Sequence, residues 1–398
     1  GNYHPYMTVP GQIAHYRTVP TPGCRPRIQR LDPDGNYIDE WTHVAPLPAA
    51  VRFDDGEGLL LGWDPLVTPR LEFNNFNLDA MDVERVVIEA APNPAGGALT
   101  AMRRRYDRDQ LVGIARLTLD REGRVVEAAQ PMFGATIHMR VTDRATALGP
   151  HPPYQVVPNA MTRSPFRISA SASQGRVRYR LSFNGVIAFA LPQTGEQRAS
   201  QDAETVTVDI CRDCGPGMPA DAASLADALR PTNWLQSDHP RLRAIAAPVA
   251  SLAVSDTSKM QLLLQRARPY LARIDFAGHY SALDTLSRRP GDCTEAAVLL
   301  AALGRAAGIP TRVASGLVYS RGSYHGVSNA FLPHSWTIAW VDGAWRSFDL
   351  ALGDFDSTHI ALTVGDGDAR SVAAAAAGQL ASLLRFETLA EIRVRGSS

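Results

Sequence analysis

The sequence predicts an α+β protein in which a β-rich N-terminal half is followed by a helical and then mixed C-terminal half. Three observations carry this. Short alternating segments separated by turn signals run from about Val51 to Ile210, which is antiparallel-sheet patterning. That pattern stops at Cys211-Arg212-Asp213-Cys214-Gly215-Pro216-Gly217, a Gly/Pro-rich hinge. After Pro219 the chain becomes rich in Ala and Leu at helical spacing.

In order along the chain, residues 1–50 are dense in Pro and Tyr without sustained periodicity and read as an extended arm. Residues 51–215 form the β-rich region, with strands expected at Val83–Glu89, Leu111–Leu119, Ile137–Val141, Gly175–Phe183, Val186–Leu191 and Thr205–Ile210. Residues 216–236 read as a linker and 237–398 as the catalytic domain. Helices are expected at Ala220–Leu229, His239–Ala253 and Ser255–Ile274, the last with Ser255 or Asp256 as N-cap. A further Ala-rich helix is expected near Ser371–Leu384.

Composition narrows the function. The 398 residues carry 40 basic and 40 acidic side chains, so no positive excess is available for phosphate-backbone binding, and a nucleic-acid partner is not expected. No apolar run approaches the ~20 residues that span a bilayer. Lys259 is the sole lysine among the 40 basic residues, which leaves an amine-consuming enzyme almost no target on its own chain. Four cysteines are too few for a disulfide scaffold but suffice for one bridge and one working thiol. No signal peptide is visible at Gly1–Pro10. An exported protein, periplasmic or secreted, whose leader is missing from this chain is the expectation, with the cytoplasm as the alternative.

The chemistry concentrates after residue 290. Gly291-Asp292-Cys293-Thr294-Glu295 opens a helix whose apolar face runs through Ala296, Leu299, Leu300 and Leu303, with Gly308 as its C-terminal cap and Pro310 beyond. Cys293 therefore sits at the first turn, where the helix dipole favours a thiolate. Thr311–Tyr319 reads as a buried strand and Ser320–Pro333 as a Gly-rich loop. A hairpin then runs from His334 through the Asp342-Gly343 turn to Leu350. Pairing across that turn brings His334 and Asp349 together, so a carboxylate could fix the imidazole tautomer.

Arg288–Ala297, Ala306–Arg312, His334-Ser335-Trp336 and Phe348-Asp349 resemble the transglutaminase-like core, a superfamily of transglutaminases, peptide N-glycanases and bacterial cysteine proteases. The resemblance spans roughly 237–365 and includes the tail Ser357-Thr358-His359-Ile360, similar to the bacterial exported branch. It implies a papain-like fold with Cys293 as nucleophile, His334 as general base and then acid, and Asp349 as orienting carboxylate. It also implies an oxyanion stabiliser ahead of the nucleophile, for which Tyr280 is chosen over His279; Phe276 has no donor.

The expected activity is acyl transfer through a thioester on a peptide or carboxamide, with a peptide or protein as substrate. Hydrolysis is favoured because water is always present and amine transfer needs a built acceptor site. A transglutaminase or amide-forming acyltransferase is the alternative, and a non-catalytic binding module with a relic triad is the alternative of another class. Trp336 and His325 are candidate substrate contacts. Cys211 and Cys214 are candidates for a disulfide, with Cys24 able to replace either. The Cys211-x-x-Cys214 pair lacks a second Cys/His pair at ligand spacing, and Gly365-Asp366-Gly367-Asp368 lacks the spaced Glu of a calcium loop, so no metal and no cofactor are expected. The oligomeric state is left open.

Overall fold

The computed structural model describes residues 4–9, 12–19, 27–31, 37–42, 51–52, 56–77, 82–91, 98–107, 110–132, 135–147, 149, 161–164, 166–182, 190–201, 205–271, 280–288, 291–322 and 327–368. Cys24, Phe276, His279, His325 and the helix expected near Ser371–Leu384 lie outside them.

The first fifty residues contain more regular structure than an extended arm. Strands β1 (His4–Val9), β2 (Gln12–Val19), β3 (Arg27–Leu31) and β4 (Tyr37–Thr42) form an antiparallel four-stranded meander. The strands are short and the turns rich in Pro and Gly, which hides the alternation in windows long enough to test it.

The expected β-rich region begins with a seven-stranded sheet. It comprises β5 (Val51–Arg52), β6 (Arg70–Asn77), β7 (Asp82–Ala91), β8 (Leu99–Asp107), β9 (Gln110–Leu119), β10 (Val125–Met132) and β11 (Ala135–Arg140), neighbours in sequence order. Every pairing is antiparallel except β5 with β6. Val86, Ile88, Ala101, Ala115, Leu117 and Leu119 form its core.

Past residue 160 the composition boundary and the packing boundary diverge. Strand β12 (Thr162–Arg163) pairs with a strand of the C-terminal sheet. Strands β13 (Val177–Ser182), β14 (Gln197–Gln201) and β15 (Thr205–Ile210) form a small sheet of order β13-β15-β14. Its buried residues, among them Tyr179, Leu181 and Val208, share one core with Leu317, Phe331 and Ile360. The composition shift at 215 thus marks a change of secondary structure inside one packing unit. At that shift Cys211 and Cys214 are joined by a disulfide. Arg346 donates to the Arg212 carbonyl and pairs with Asp213, docking the disulfide loop on the C-terminal hairpin.

Helices α1 (Pro240–Ala250), α2 (Asp256–Ala267), α3 (Ala282–Arg288) and α4 (Cys293–Ala306) follow. Pro240 opens α1, and the Ser255 hydroxyl caps α2 by accepting from the Ser258 N–H, as the sequence indicated. Helix α4 is the central one: eleven consecutive residues from Glu295 to Arg305 are buried. It packs on a sheet of order β12-β17-β16-β19, built from β16 (Thr311–Ser320), β17 (Ala330–Val341) and β19 (Ile360–Gly365), with β18 (Ala344–Phe348) paired to β17. All these pairings are antiparallel. The β17–β18 turn has positive φ at both Asp342 (51°) and Gly343 (83°), the geometry a two-residue hairpin requires. Among the described residues, no helix is long and apolar enough to cross a membrane.

Candidate active site

The N-terminus of α4 is fixed by a capping box. The Asp292 carboxylate accepts from the Thr294 N–H at 2.7 Å, and Glu295 Oε2 accepts from the Asp292 N–H at 2.8 Å. Glu295 Oε1 also accepts from the Tyr280 N–H at 3.0 Å, tying the segment before α3 to the helix start. The cap therefore holds Cys293 as the first residue of α4 against strand β17. One turn further on, Thr337 Oγ1 of β17 donates to the Ala297 carbonyl at 2.9 Å.

His334 lies inside β17 rather than at its start, because the strand begins at Ala330 and shortens the expected loop. Asp349 follows β18 directly. With Thr337 paired to Phe348, the two side chains meet just beyond the hairpin ladder. His334 Nε2 lies 2.6 Å from Asp349 Oδ2, and both residues are buried. Asp349 Oδ1 accepts from the Ala351 and Leu352 N–H groups at 2.8 and 3.0 Å. Burial alone would raise the Asp349 pKa, but the hydrogen bonds from His334 and His359 hold it well below the usual carboxylate range. Because Nε2 is engaged by Asp349, the other ring nitrogen, Nδ1, is left for chemistry.

Cys293 departs from the sequence expectation in its electrostatics. It is half-buried. Burial and the Asp292 carboxylate push its pKa well above the ordinary thiol value, with Asp349 and Glu295 acting the same way. The Ser335 backbone N–H opposes them. Burial and the Asp292 carboxylate thus work against the helix dipole and favour the thiol form.

Trp336 is buried, with Nε1 donating to Ser347 Oγ at 3.2 Å and its ring stacked on His334 at 6.1 Å. It supports the imidazole from within the core, which corrects the expectation of a cleft-lining substrate contact. Tyr280 is half-buried beside the start of α4, at Glu295. His334, Asp349 and His359 lie within 4.8 Å of one another through their polar atoms and are joined by hydrogen bonds, both Nε2 atoms engaging the same carboxylate oxygen.

Residues 243–350 match the model of the Transglutaminase-like superfamily. The chain carries a transglutaminase-like core. No curated protein matches the chain. Among solved structures, a candidate cysteine protease from Cytophaga hutchinsonii is 18% identical with a TM-score of 0.32, covering 49% of this chain and 82% of its own. The periplasmic domain of TgpA from Pseudomonas aeruginosa is 20% identical with a TM-score of 0.32, covering 48% of this chain and 74% of its own.

Two residues around this transglutaminase-like core carry more than the sequence reading gave them. His359 appeared there only in a similar tail, although Asp356 three residues before it, ahead of a strand, was a readable signal. Glu196 is buried, accepts from the Ser347 N–H at 2.9 Å, and has its pKa raised by burial to about 7. It lies 151 residues upstream of Ser347, so sequence patterning had no means to link them.

Proposed function

We propose that the protein is a thiol-dependent acyl-transfer enzyme that cleaves peptide or carboxamide bonds, with Cys293 as nucleophile, His334 as base and acid, and Asp349 as orienting group. The observation that carries this reading is the buried 2.6 Å His334–Asp349 contact on the strand that faces the cysteine end of α4. Because Cys293 rests as a thiol, its proton passes to His334 Nδ1 as sulfur attacks the carbonyl carbon. The Cys293 backbone N–H, at the helix start, is a natural donor to the developing oxyanion, with Tyr280 as the side-chain candidate. His334 then protonates the leaving amine, a thioester remains, and water attacks it with His334 as base.

The amine-transfer alternative has one observation in its favour. The sole lysine, Lys259, is largely buried and paired with Asp256 at 3.0 Å, so a transamidase of this sequence would be protected from modifying itself. We place the protein in an oxidising compartment, periplasmic or secreted, because the Cys211–Cys214 bridge persists there. Mass spectrometry after incubation with a peptide library, with and without a primary amine, tests the reading. The expected species is Cys293 plus an acyl group, discharged to free acid in water. Discharge mainly to amide when amine is present assigns transfer instead, and no adduct on Cys293 under any condition rejects both.

A further inference from the structure

The proposed triad does not end at Asp349. His359, just ahead of β19, has Nε2 3.0 Å from the same Asp349 Oδ2 that His334 engages. Its Nδ1 lies 3.0 Å from the Asp356 carbonyl oxygen and 3.1 Å from Asp356 Oδ1, with the Asp356 N–H further off at 3.4 Å. The nearest partner of each ring nitrogen is thus an acceptor, and the imidazolium is the form that donates to both. The ring is buried, packed against Trp336 at 5.1 Å and Phe355 at 4.9 Å.

The backbone is arranged for this contact. Gly316 of β16 pairs with His334 on one side and Ala361 on the other. A Cβ there would lie 2.0 Å from the Ile360 carbonyl oxygen. Only glycine lets β19 approach closely enough to deliver His359 beside the hairpin.

We propose that His359 is a positioning residue: a doubly donating imidazolium, clamped by Asp356, that holds Asp349 in place and lends positive charge to the Cys293/His334 pair. The inference rests on the triad reading above. Burial works against the charge, yet hydrogen bonds to Asp349 and Asp356 push the His359 pKa up to about 9. The titratable groups around it are Asp349 after β18, His334 on β17, Asp356 on its own loop, Glu196 from the small sheet, and Cys293 beyond Asp349.

The sign follows from charge alone. A positive ring beside the pair favours loss of its first proton, whether that proton leaves sulfur or imidazole. Removing the charge moves the acid limb to higher pH.

The test is the pH dependence of Cys293 alkylation by iodoacetamide in the full chain, which needs no substrate. His359→Gln should raise the inflection and slow alkylation about tenfold on the acid side, the equivalent of one pKa unit. Asp356→Asn should do the same to a smaller extent. Each is repeated with Glu196→Gln, which removes a buried carboxyl that titrates in the same window. Because a buried substitution can unfold the protein, nitrogen-15 NMR of wild-type histidines supplies a second measurement, with two ring N–H groups expected on His359 at pH 7. An unmoved inflection in folded His359→Gln, or a single ring N–H on His359, overturns the inference. Failure of the triad itself is distinguishable: His334→Ala would then leave the rate and pH dependence of alkylation at wild-type values, overturning both.

Discussion

The seven-stranded sheet and the sheet that carries His334 use polar residues differently. In the first, the core cluster is aliphatic and several ion pairs stand at the surface, as in Arg104–Glu89 at 2.6 Å with both side chains about a third exposed, although Glu84 and Arg103 are buried there as well. In the second, His334, Asp349, His359, Thr337 and Glu295 lie inside the core, and each has a named partner. Solvent screens the outer pairs, so each can be lost with little consequence. The inner groups sit where an unpaired donor or charge is costly and where dipoles stay fixed, which is what catalysis requires. One region is built to be stable in pieces, the other to fail as a unit.

The largest effects should therefore come from the inner network. Cys293→Ala is expected to remove amide turnover, by about 10⁶-fold for loss of a nucleophile, while circular dichroism and melting stay near wild type because a small residue suits a first helical turn. Residual turnover above about one thousandth of wild type would take the nucleophile role from Cys293. Asp349→Asn is expected to reduce kcat by about 10⁴-fold, since an amide turned to accept from the imidazoles sets its NH2 against the Ala351 and Leu352 N–H groups, and turned the other way it favours the wrong tautomer. Its alkylation kinetics should change together with kcat. A variant with wild-type turnover would assign the orienting role elsewhere.

How much of this was legible follows the same division. The α4 cap, the Asp342-Gly343 turn and the Cys293, His334 and Asp349 positions were readable because each depends on residues within a few positions of one another. The four-stranded meander was lost because its strands are five to eight residues long between Pro/Gly turns. That Ile168, Tyr179, Leu181 and Val208 share a core with the C-terminal sheet was not readable either. It depends on contacts such as Tyr179 Oη donating to the Ser357 carbonyl, 178 residues apart. The upward push on the Cys293 pKa was not readable for a related reason: its largest cause is burial, which comes from packing between elements, ahead of the neighbouring Asp292 and the more distant Asp349.

A smaller effect should appear at Glu196, where the small sheet meets the hairpin. Its carboxyl is raised from an ordinary 4.5 to about 7, so the folded state binds the proton more tightly than the unfolded chain. That stabilisation is complete below about pH 4.5 and is lost as pH rises through 7. Over such a window the loss is on the order of 3 kcal/mol. Glu196→Gln should flatten melting temperature against pH in this range and exceed wild type in stability at pH 8. The slope nearer pH 9, where Glu295 titrates, should remain in both proteins. Equal slopes between pH 4.5 and 7 would show that the Glu196 carboxyl is not held in the neutral form.

The smallest effect should come from the outer face of the seven-stranded sheet. Glu89 on β7 sits directly across from Arg70 on β6 and diagonal to Arg104 on β8, with contacts of 3.5 and 2.6 Å. Removing its charge weakens both contacts, yet the guanidinium groups remain in water and lose no buried partner. Exposed pairs of this kind contribute about 0.5 kcal/mol, and sheet neighbours add at most a comparable increment. Glu89→Gln is therefore expected to change hydrogen-exchange protection of the β7 and β8 amides by no more than about threefold, a difference that disappears at high salt because the contacts are screened. Amide turnover should be untouched. A loss of protection a hundredfold or greater, insensitive to salt, would mean that this face is buried against something else, and the contrast between a screened outer sheet and a preorganised inner one would fail at its first premise.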